Sequence, residues 1–122
     1  MDKAKIGKLG EDYAAEYLAR LGYKISSRNF KTRFGEVDII AEKGEIIAFI
    51  EVKTRSKNSL YTPREAVNLS KQKKIILASS EYILKSECQK QPRFDVFEIV
   101  CSANNNNFKV ISCCFLENAF QL

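Results

Sequence analysis

Two short stretches of the chain carry side chains whose types and spacing are suited to chemistry. They are Glu36-Val37-Asp38 and Glu51-Val52-Lys53, each with valine between two charged residues. In a β-strand, residues two positions apart share a face, so the two charged residues of each motif point the same way. Carboxylate oxygens are ligands that suit Mg²⁺ or Mn²⁺, and a nearby lysine stabilises charge on a phosphate.

The connection between the two predicted strands determines whether these motifs meet. A two-residue turn at Lys43-Gly44 would pair Val37 with Ile50 and Ile39 with Ala48. One face is then wholly apolar: Val37, Ile39, Ala48, Ile50 and Val52. The other face carries Glu36, Asp38, Glu51 and Lys53 at one end, and Ile40, Ile47 and Phe49 at the other. The register that segregates the apolar residues is therefore also the one that gathers the carboxylates.

Three neighbouring carboxylates repel one another unless a cation neutralises them. Mg²⁺ is typically held by one or two protein carboxylates, with substrate phosphate completing its shell. Lys53 lies beside the same predicted site and is able to steer or deprotonate an attacking water. These are the parts needed to hydrolyse a phosphodiester. Alternating charges on an exposed strand face would have the same spacing, so the pattern alone leaves that alternative open.

Glu11 is a further carboxylate that a helix could bring to this site. It aligns with Gly7 and Ala15 at four-residue spacing on a predicted helix. Such a strip of small residues would let the helix lie close to the sheet and carry Glu11 toward the strand carboxylates. The alternative is a solvated glutamate beside Asp12.

Composition excludes several kinds of chemistry. The chain has no histidine, which rules out Ser-His-Asp and Cys-His nucleophiles and histidine-ligated zinc. The four cysteines form no C-x-x-C pair and predict free thiols in a reducing cytoplasm. No apolar run approaches ~18 residues, and the N-terminus lacks the core of a signal peptide, so no membrane association is expected.

The apolar pattern predicts a single α/β domain over residues 1–122, with a central mixed β-sheet flanked by helices in the order α-β-β-β-α-β-β. A first helix is expected over Lys3–Leu21, with Gly22 at its C-terminal end. Its predicted apolar stripe is Ile6, Leu9, Tyr13, Tyr17 and Leu21. Strands are predicted at residues 24–30, 36–42, 45–53, 93–101 and 108–115.

A second helix is expected to open at Thr62-Pro63-Arg64-Glu65, where Thr62 and Glu65 have capping-box spacing. It continues to about Lys85, with a break near Ser70. Its apolar residues, too many for one face, would cover the sheet or contribute to a homodimer: Ile75, Ile76, Leu77, Ile83 and Leu84. The run Asn104–Asn107 predicts a hairpin loop, and Arg93 is expected to pair with Asp95 or a neighbour.

Several blocks of sequence together resemble a known family. They are Gly7-Lys8-Leu9-Gly10-Glu11, Gly22-Tyr23, Arg28-Asn29-Phe30, Gly35-Glu36-Val37-Asp38 and Phe49-Ile50-Glu51-Val52-Lys53-Thr54-Arg55. In this order they resemble the YraN family of small, largely uncharacterised bacterial proteins, which belongs to the restriction-endonuclease-like (PD-(D/E)xK) nuclease superfamily. That family is similar in outline to archaeal Holliday-junction resolvases. The resemblance covers roughly residues 5–100 and is more specific than one E-x-K motif.

The resemblance implies a restriction-endonuclease-like fold and a metal-dependent nuclease. Carried over by position, Asp38 and Glu51 would bind Mg²⁺ or Mn²⁺, with the Val52 carbonyl as a further ligand. Lys53 would be the catalytic lysine, and Glu11 the helix-borne acid that assists metal binding. The superfamily's Pro-Asp is Val37-Asp38 here, which leaves the aspartate in place. No small-molecule organic cofactor is implied.

Positive charge is concentrated beside this site. Residues 53–74 contain seven basic side chains and one acidic one, within a chain of net charge +5. Such a segment suits a phosphate backbone. The predicted nucleic-acid-binding residues are Arg28, Arg33, Arg55, Lys57, Arg64, Lys71, Lys73 and Lys74.

The function predicted is therefore cleavage of DNA, in particular branched or structured DNA in repair or recombination. Two alternatives stay open. One is a non-catalytic module on the same fold that binds nucleic acid or recruits a partner. The other is a protein-interaction domain with an incidental basic surface.

Overall fold

The computed structural model describes residues 1–57 and 67–121. The elements are α1 (Lys3–Arg20), β1 (Lys24–Lys31), β2 (Glu36–Lys43), β3 (Ile46–Ser56), α2 (Leu69–Ser86), β4 (Gln91–Asn104) and β5 (Asn107–Phe120). This order confirms the predicted arrangement of helices and strands. The last two strands are longer than predicted because β4 and β5 form one extended hairpin.

The five strands form one sheet in the order β1-β2-β3-β4-β5. β3 and β4 are parallel, and the other three neighbouring pairs are antiparallel. A parallel pair needs a crossover connection, and the chain between these two strands includes α2. The predicted mixed sheet with flanking helices is thus confirmed. Residues from α1 and α2 belong to two different apolar clusters, which places one helix on each face of the sheet.

Helix α1 begins and ends at clear sequence signals. Asp2 is its N-cap and accepts a hydrogen bond from the Lys5 backbone N–H at 2.8 Å. Gly22 follows the C-terminus with φ 97°, as predicted. The buried residues of the helix are Gly10, Ala14 and Leu18. Of the predicted stripe, Ile6, Tyr13 and Tyr17 pack against the core, whereas Leu21 is exposed.

The helix approaches the sheet most closely at Gly10. A Cβ atom at this position would collide with the Thr54 side chain on β3, whereas a Cβ at Gly7 would meet nothing within 4 Å. The close approach therefore depends on Gly10, not on the predicted strip that included Gly7.

Helix α2 starts at Leu69, with Asn68 as its N-cap. The Asn68 side chain accepts a hydrogen bond from the Lys71 backbone N–H at 2.9 Å. The predicted start at Thr62-Pro63-Arg64-Glu65 lies outside the described residues. Ile75 is buried and Ile76 and Ile83 pack against the sheet. Leu77 and Leu84 are exposed on the outer side of the helix.

The hairpin between β2 and β3 differs from the prediction by two residues. Its turn is Gly44-Glu45, and the pairs are Ile39 with Ile50 and Ala41 with Ala48. Gly44 adopts φ 58°, which glycine tolerates without strain. The predicted turn was wrong, yet a shift of two residues returns each side chain to the same face.

Val37 is the exception to the predicted faces. Ile39, Ala48 and Ile50 are buried in the cluster that includes α1, and Val52 packs against it. Val37 instead belongs to the α2 cluster, together with Ile40, Ile47 and Phe49. The regular pairing of β2 with β3 extends only as far as Ile39 and Ile50. Beyond that pair the two strands separate, and the alternation of faces along β2 no longer holds.

Other expectations can be compared with the structure directly. The loop between β4 and β5 is a tight turn at Asn105 and Asn106, which confirms the predicted hairpin. Arg93 Nε donates to Asp95 Oδ1 at 2.9 Å, so that predicted pair is also confirmed. All four cysteines are free. Within the described ranges, neither helix has the length and apolar character that spanning a bilayer requires.

Candidate functional site

A cleft of about 580 Å³ opens at the point where β2 and β3 separate. The N-terminal half of α1 and the second half of β3 form its walls, with one residue each from β2 and α2. Its lining includes Glu11, Asp38, Glu51, Lys53 and Lys71. The structure therefore brings all four predicted catalytic residues into one cleft, together with a lysine from α2. Glu36 lies in an adjoining depression instead, with Lys71 and Lys74.

Asp38 sits at the fork between the strands. Its Oδ2 accepts a hydrogen bond from the Val52 backbone N–H at 2.8 Å, so a side chain occupies the position of a sheet partner. Only 8% of the residue is exposed. Burial, followed by the hydrogen bond with Glu51 and its negative charge, raises the pKa of Asp38 to about 9. This carboxyl group therefore holds a proton at neutral pH when no cation is bound.

Glu51 is the more deeply buried of the two acids, at 2% exposure. Burial alone would raise its pKa, but the hydrogen bond from Asp38 and the Lys71 ammonium outweigh burial and lower the pKa of Glu51. Oε2 of Glu51 forms an ion pair with Lys71 and lies 3.7 Å from Lys53 Nζ. Glu51 is thus the ionised member of the acid pair, held between two ammonium groups.

The two lysines have opposite pKa shifts. Burial, together with the nearby charge of Lys71, lowers the pKa of Lys53 despite the attraction of Glu51. For Lys71, burial acts in the same direction, but its contact with Glu51 outweighs it and raises the pKa. Lys53 is therefore the lysine that gives up a proton more readily.

Glu11 reaches the cleft from α1, but its closest charged partner is on β1. Arg28 lies 3.7 Å from Glu11 Oε1 and donates to Asp12 Oδ1 at 2.8 Å. Burial raises the pKa of Glu11, and a hydrogen bond with Asn29 opposes that shift. Asn29 has φ 53° in β1. Asn29 and Arg28 line the depression that adjoins the cleft at Glu11.

The donor atoms suit a small divalent cation held by two carboxylates. Among the residues that the structure describes, no three Asp, Glu or Cys side chains lie close enough together to hold a metal ion. Asp38 and Glu51 alone match the one or two carboxylates that Mg²⁺ usually takes from a protein. Glu51 Oε2 is also buried without a well-aligned hydrogen bond from any described group. These residues therefore fit Mg²⁺ or Mn²⁺, with Glu11 at the edge of the site.

The predicted nucleic-acid-binding residues differ in where they lie relative to the cleft. Arg55 and Lys71 line the cleft, while Arg28 and Lys74 line depressions that adjoin it. Arg55 Nε lies 3.3 Å from Glu98 Oε2. Exposed residues that do not line these three depressions are Arg33, Lys57 and Lys73. Arg64 lies outside the described residues.

Sequence reasoning missed the direct contact between Lys71 and Glu51. Asn68, directly before an apolar helical pattern, is a standard N-cap signal that could have located the helix start. That start places Lys71 in the first turn. Lys3 and Lys8 of α1 also line depressions at the site, and neither residue was singled out.

A second groove, also of about 580 Å³, lies at the other end of the sheet, between α2 and the start of β4. Arg93 is in its lining, where Asp95 holds the guanidinium. Arg93 is the one ionisable residue in the described lining of this groove, whereas the cleft at the strand fork gathers several acids and lysines with shifted pKa values, so that cleft is the better candidate site.

Comparison with known proteins places the chain among close relatives. A UPF0102 protein of Dictyoglomus turgidum is 40% identical over 121 residues, covering 98% of this chain and 100% of the relative. UPF0102 proteins of Clostridium tetani and Persephonella marina are 43% and 44% identical, over 97% and 95% of this chain and 95% and 93% of their own lengths.

A family model described as "Uncharacterised protein family UPF0102" matches residues 10–99, a stretch that contains Glu11, Asp38, Glu51, Lys53 and Lys71. With more than half of the chain matched and relatives of similar length at this level of identity, the chain belongs to the uncharacterised protein family UPF0102, which is the YraN family that its motifs resemble.

Proposed function

We propose that the protein is a metal-dependent nuclease that hydrolyses phosphodiester bonds in DNA, with branched or structured DNA of repair or recombination as the substrate. The observation that carries this proposal is the buried Asp38–Glu51 pair, with Lys53 3.7 Å from Glu51, in one cleft lined by basic residues. The family resemblance supports the same reaction, because its nuclease motif falls on these residues.

Asp38 and Glu51 are the residues that would hold the cation, with the Val52 carbonyl as a further ligand and Glu11 at the edge of the site on α1. When bound, Mg²⁺ or Mn²⁺ supplies positive charge against the phosphate in the transition state. The hydrogen bond from the Val52 N–H orients the Asp38 carboxyl group before any cation arrives. Preorganisation of this kind reduces the cost of assembling the site.

Lys53 is the residue placed to handle a proton. Its lowered pKa favours exchange of a proton with an attacking water, which an ordinary lysine performs poorly at neutral pH. Its side chain is 26% exposed, so a water molecule from the cleft can reach it. Lys53 therefore assists the nucleophile, and the two carboxylates would hold the cation that supplies positive charge against the phosphate.

A basic path around the cleft would contact the nucleic acid. The depression beside α1 shares Lys3, Gly7 and Glu11 with the cleft, and the depression beside α2 shares Lys71 with it. Arg28 and Lys8 lie at one end of this path and Lys74 at the other. Phosphate contacts contribute most of the affinity for a nucleic-acid backbone, so this path suits a strand that crosses the acid pair.

The direct test is cleavage of linear, flap and four-way DNA with Mg²⁺, with Mn²⁺ and with a chelator. Asp38→Asn and Lys53→Met should each lose at least about a hundredfold in rate, the usual contribution of an acid–base group or a charge-stabilising group. Lys85→Met is the matched control, because this lysine lies at the far end of α2 and pairs only at the surface with Glu81. Unchanged cleavage by both site variants would refute the assignment.

A second candidate is a nucleic-acid-binding module without catalysis, and one observation favours it. Lys53 and Lys71 already neutralise the acid pair without any metal. This alternative expects DNA binding that weakens with salt, survives Asp38→Asn and needs no divalent cation. A reducing cytoplasm suits either activity, since the protein carries four free thiols.

A further inference from the structure

We propose that Lys71 is a built-in counter-ion, which pairs with Glu51 in the metal-free protein and competes with a divalent cation for the Glu51 carboxylate. The inference rests on the proposed function, because it concerns the same carboxylate pair. It assigns Lys71, whose side chain is able to move, a role in setting how tightly the site binds metal. It also makes metal binding and the position of Lys71 mutually exclusive.

The contact itself is an ion pair between Lys71 and Glu51. The Lys71 ammonium pairs with Glu51 Oε2, but this oxygen accepts no well-aligned hydrogen bond from the described groups. Lys53 Nζ lies 3.7 Å from the same oxygen. An oxygen held by two ammonium groups is able to exchange one of them for another cation.

Helix stability does not account for a lysine at this position. Lys71 lies in the first turn of α2, where the helix dipole disfavours positive charge. The Asn68 cap fixes the backbone of Lys71 through a 2.9 Å hydrogen bond, so the Lys71 side chain starts from a fixed backbone position. The attraction of buried Glu51 offsets the unfavourable dipole, which ties the start of α2 to the acid pair.

Lys71 is also the more movable of the two lysines. Its side chain is 42% exposed, against 26% for Lys53 on the central strand β3. Lys71 lines both the cleft and the adjoining depression, where exposed Glu36 offers another carboxylate. A displaced ammonium group thus has a nearby place to go. From there it lies on the basic path, next to Lys74, where a phosphate is expected.

The experiment measures Mn²⁺ binding by the full-length protein, using electron paramagnetic resonance of the free ion. Removing a like charge next to a bound cation changes its binding constant by about one to three powers of ten. Lys71→Met and Lys71→Gln should therefore bind Mn²⁺ about tenfold or more tightly than the wild type. Lys71→Arg keeps the charge and should resemble the wild type, as should the matched control Lys85→Met.

A thermal readout, independent of catalysis, accompanies this titration. Metal-free Lys71→Met should have a lower Tm than the wild type, because Glu51 loses a counter-ion. Mn²⁺ should then raise the Tm of the variant more than that of the wild type, since tighter binding gives larger stabilisation.

Each outcome has a definite meaning. Equal or weaker Mn²⁺ binding by Lys71→Met and Lys71→Gln overturns the inference while leaving the nuclease proposal standing. A gain in Mn²⁺ affinity together with no cleavage of any DNA supports the inference and counts against the nuclease. If no variant binds Mn²⁺, both proposals are wrong.

Discussion

Asp38 Oδ2 accepts a hydrogen bond from the Val52 backbone N–H at 2.8 Å, across the fork at which β2 and β3 separate. The bond makes one residue part of both the sheet and the site. It adds a hydrogen bond between β2 and β3 beyond their last regular pair, and it holds the Asp38 carboxyl group against Glu51. Any change at Asp38 is therefore expected to alter folding stability as well as chemistry.

The first prediction concerns the dependence of stability on pH. The pKa of Asp38 rises from its ordinary 3.8 to about 9 in the folded protein, so between these values the folded state binds more protons than the unfolded state. Stability should then fall as pH rises from about 4 toward 9, by at most about 1.4 kcal/mol per pH unit. Asp38→Asn keeps the shape without the titration, and its urea unfolding curves should lose most of this slope.

Asp12→Asn serves as the control for this measurement. Asp12 is a more exposed acid whose pKa is lowered mainly by its hydrogen bond with Arg28, so its titration acts in the opposite sense. The same pH slope in Asp38→Asn and the wild type would show that the acid pair does not share a proton.

The second prediction compares two glycines of α1. Gly10→Ala forces a methyl group against Thr54 and should destabilise the protein by about 1–3 kcal/mol, the usual cost of overpacking. Gly7→Ala meets no atom within 4 Å and should stabilise the helix by roughly 0.5–1 kcal/mol. Urea unfolding measures both. Thr54→Ala should restore part of the loss in Gly10→Ala, and a destabilised Gly7→Ala would contradict the comparison.

Strands β2 and β3 show why parts of the fold could be predicted from sequence. The faces of β2 and β3 were largely predicted, although the predicted turn at Lys43-Gly44 was wrong, because a shift of two residues preserves the alternation. The alternation pattern also placed Glu51 with Lys53 correctly. Local periodicity therefore accounts for the element order and for the core of the candidate site.

The other errors depend on tertiary contacts. Val37 left its predicted face because the strands separate beyond Ile39, which no local pattern records. The most buried line of α1 runs beside the predicted stripe, because the close approach at Gly10 governs how the helix lies on β3. The contact between Lys71 and Glu51 joins α2 to β3 across the crossover connection, so its geometry depends on the whole fold.

The third prediction concerns the buried ion pair between Arg93 and Asp95 on β4. Asp95 is fully buried and accepts hydrogen bonds from Arg93 and from the Asn118 backbone N–H at 2.8 Å. Asp95→Ala leaves the Arg93 guanidinium without its main partner and should cost about 3–5 kcal/mol of unfolding free energy. Mn²⁺ binding at the cleft should be unaffected under conditions in which the variant is folded. A loss below 1 kcal/mol would mean that Arg93 finds an equivalent partner, with Glu117 at 3.3 Å the nearest other carboxylate.

The fourth prediction tests the basic path with the salt dependence of DNA binding. Each lysine that contacts a phosphate releases a counter-ion, so its removal reduces the slope of log K against log salt by about 0.7–0.9. Lys8→Gln and Lys74→Gln change residues at opposite ends of the path and should each show this reduction, with the double variant showing their sum. Lys85→Gln, remote on α2, should leave the slope unchanged. Additive losses require both lysines to contact the same bound strand, so a reduction at only one end would place the DNA on one side of the acid pair and contradict a path that crosses it.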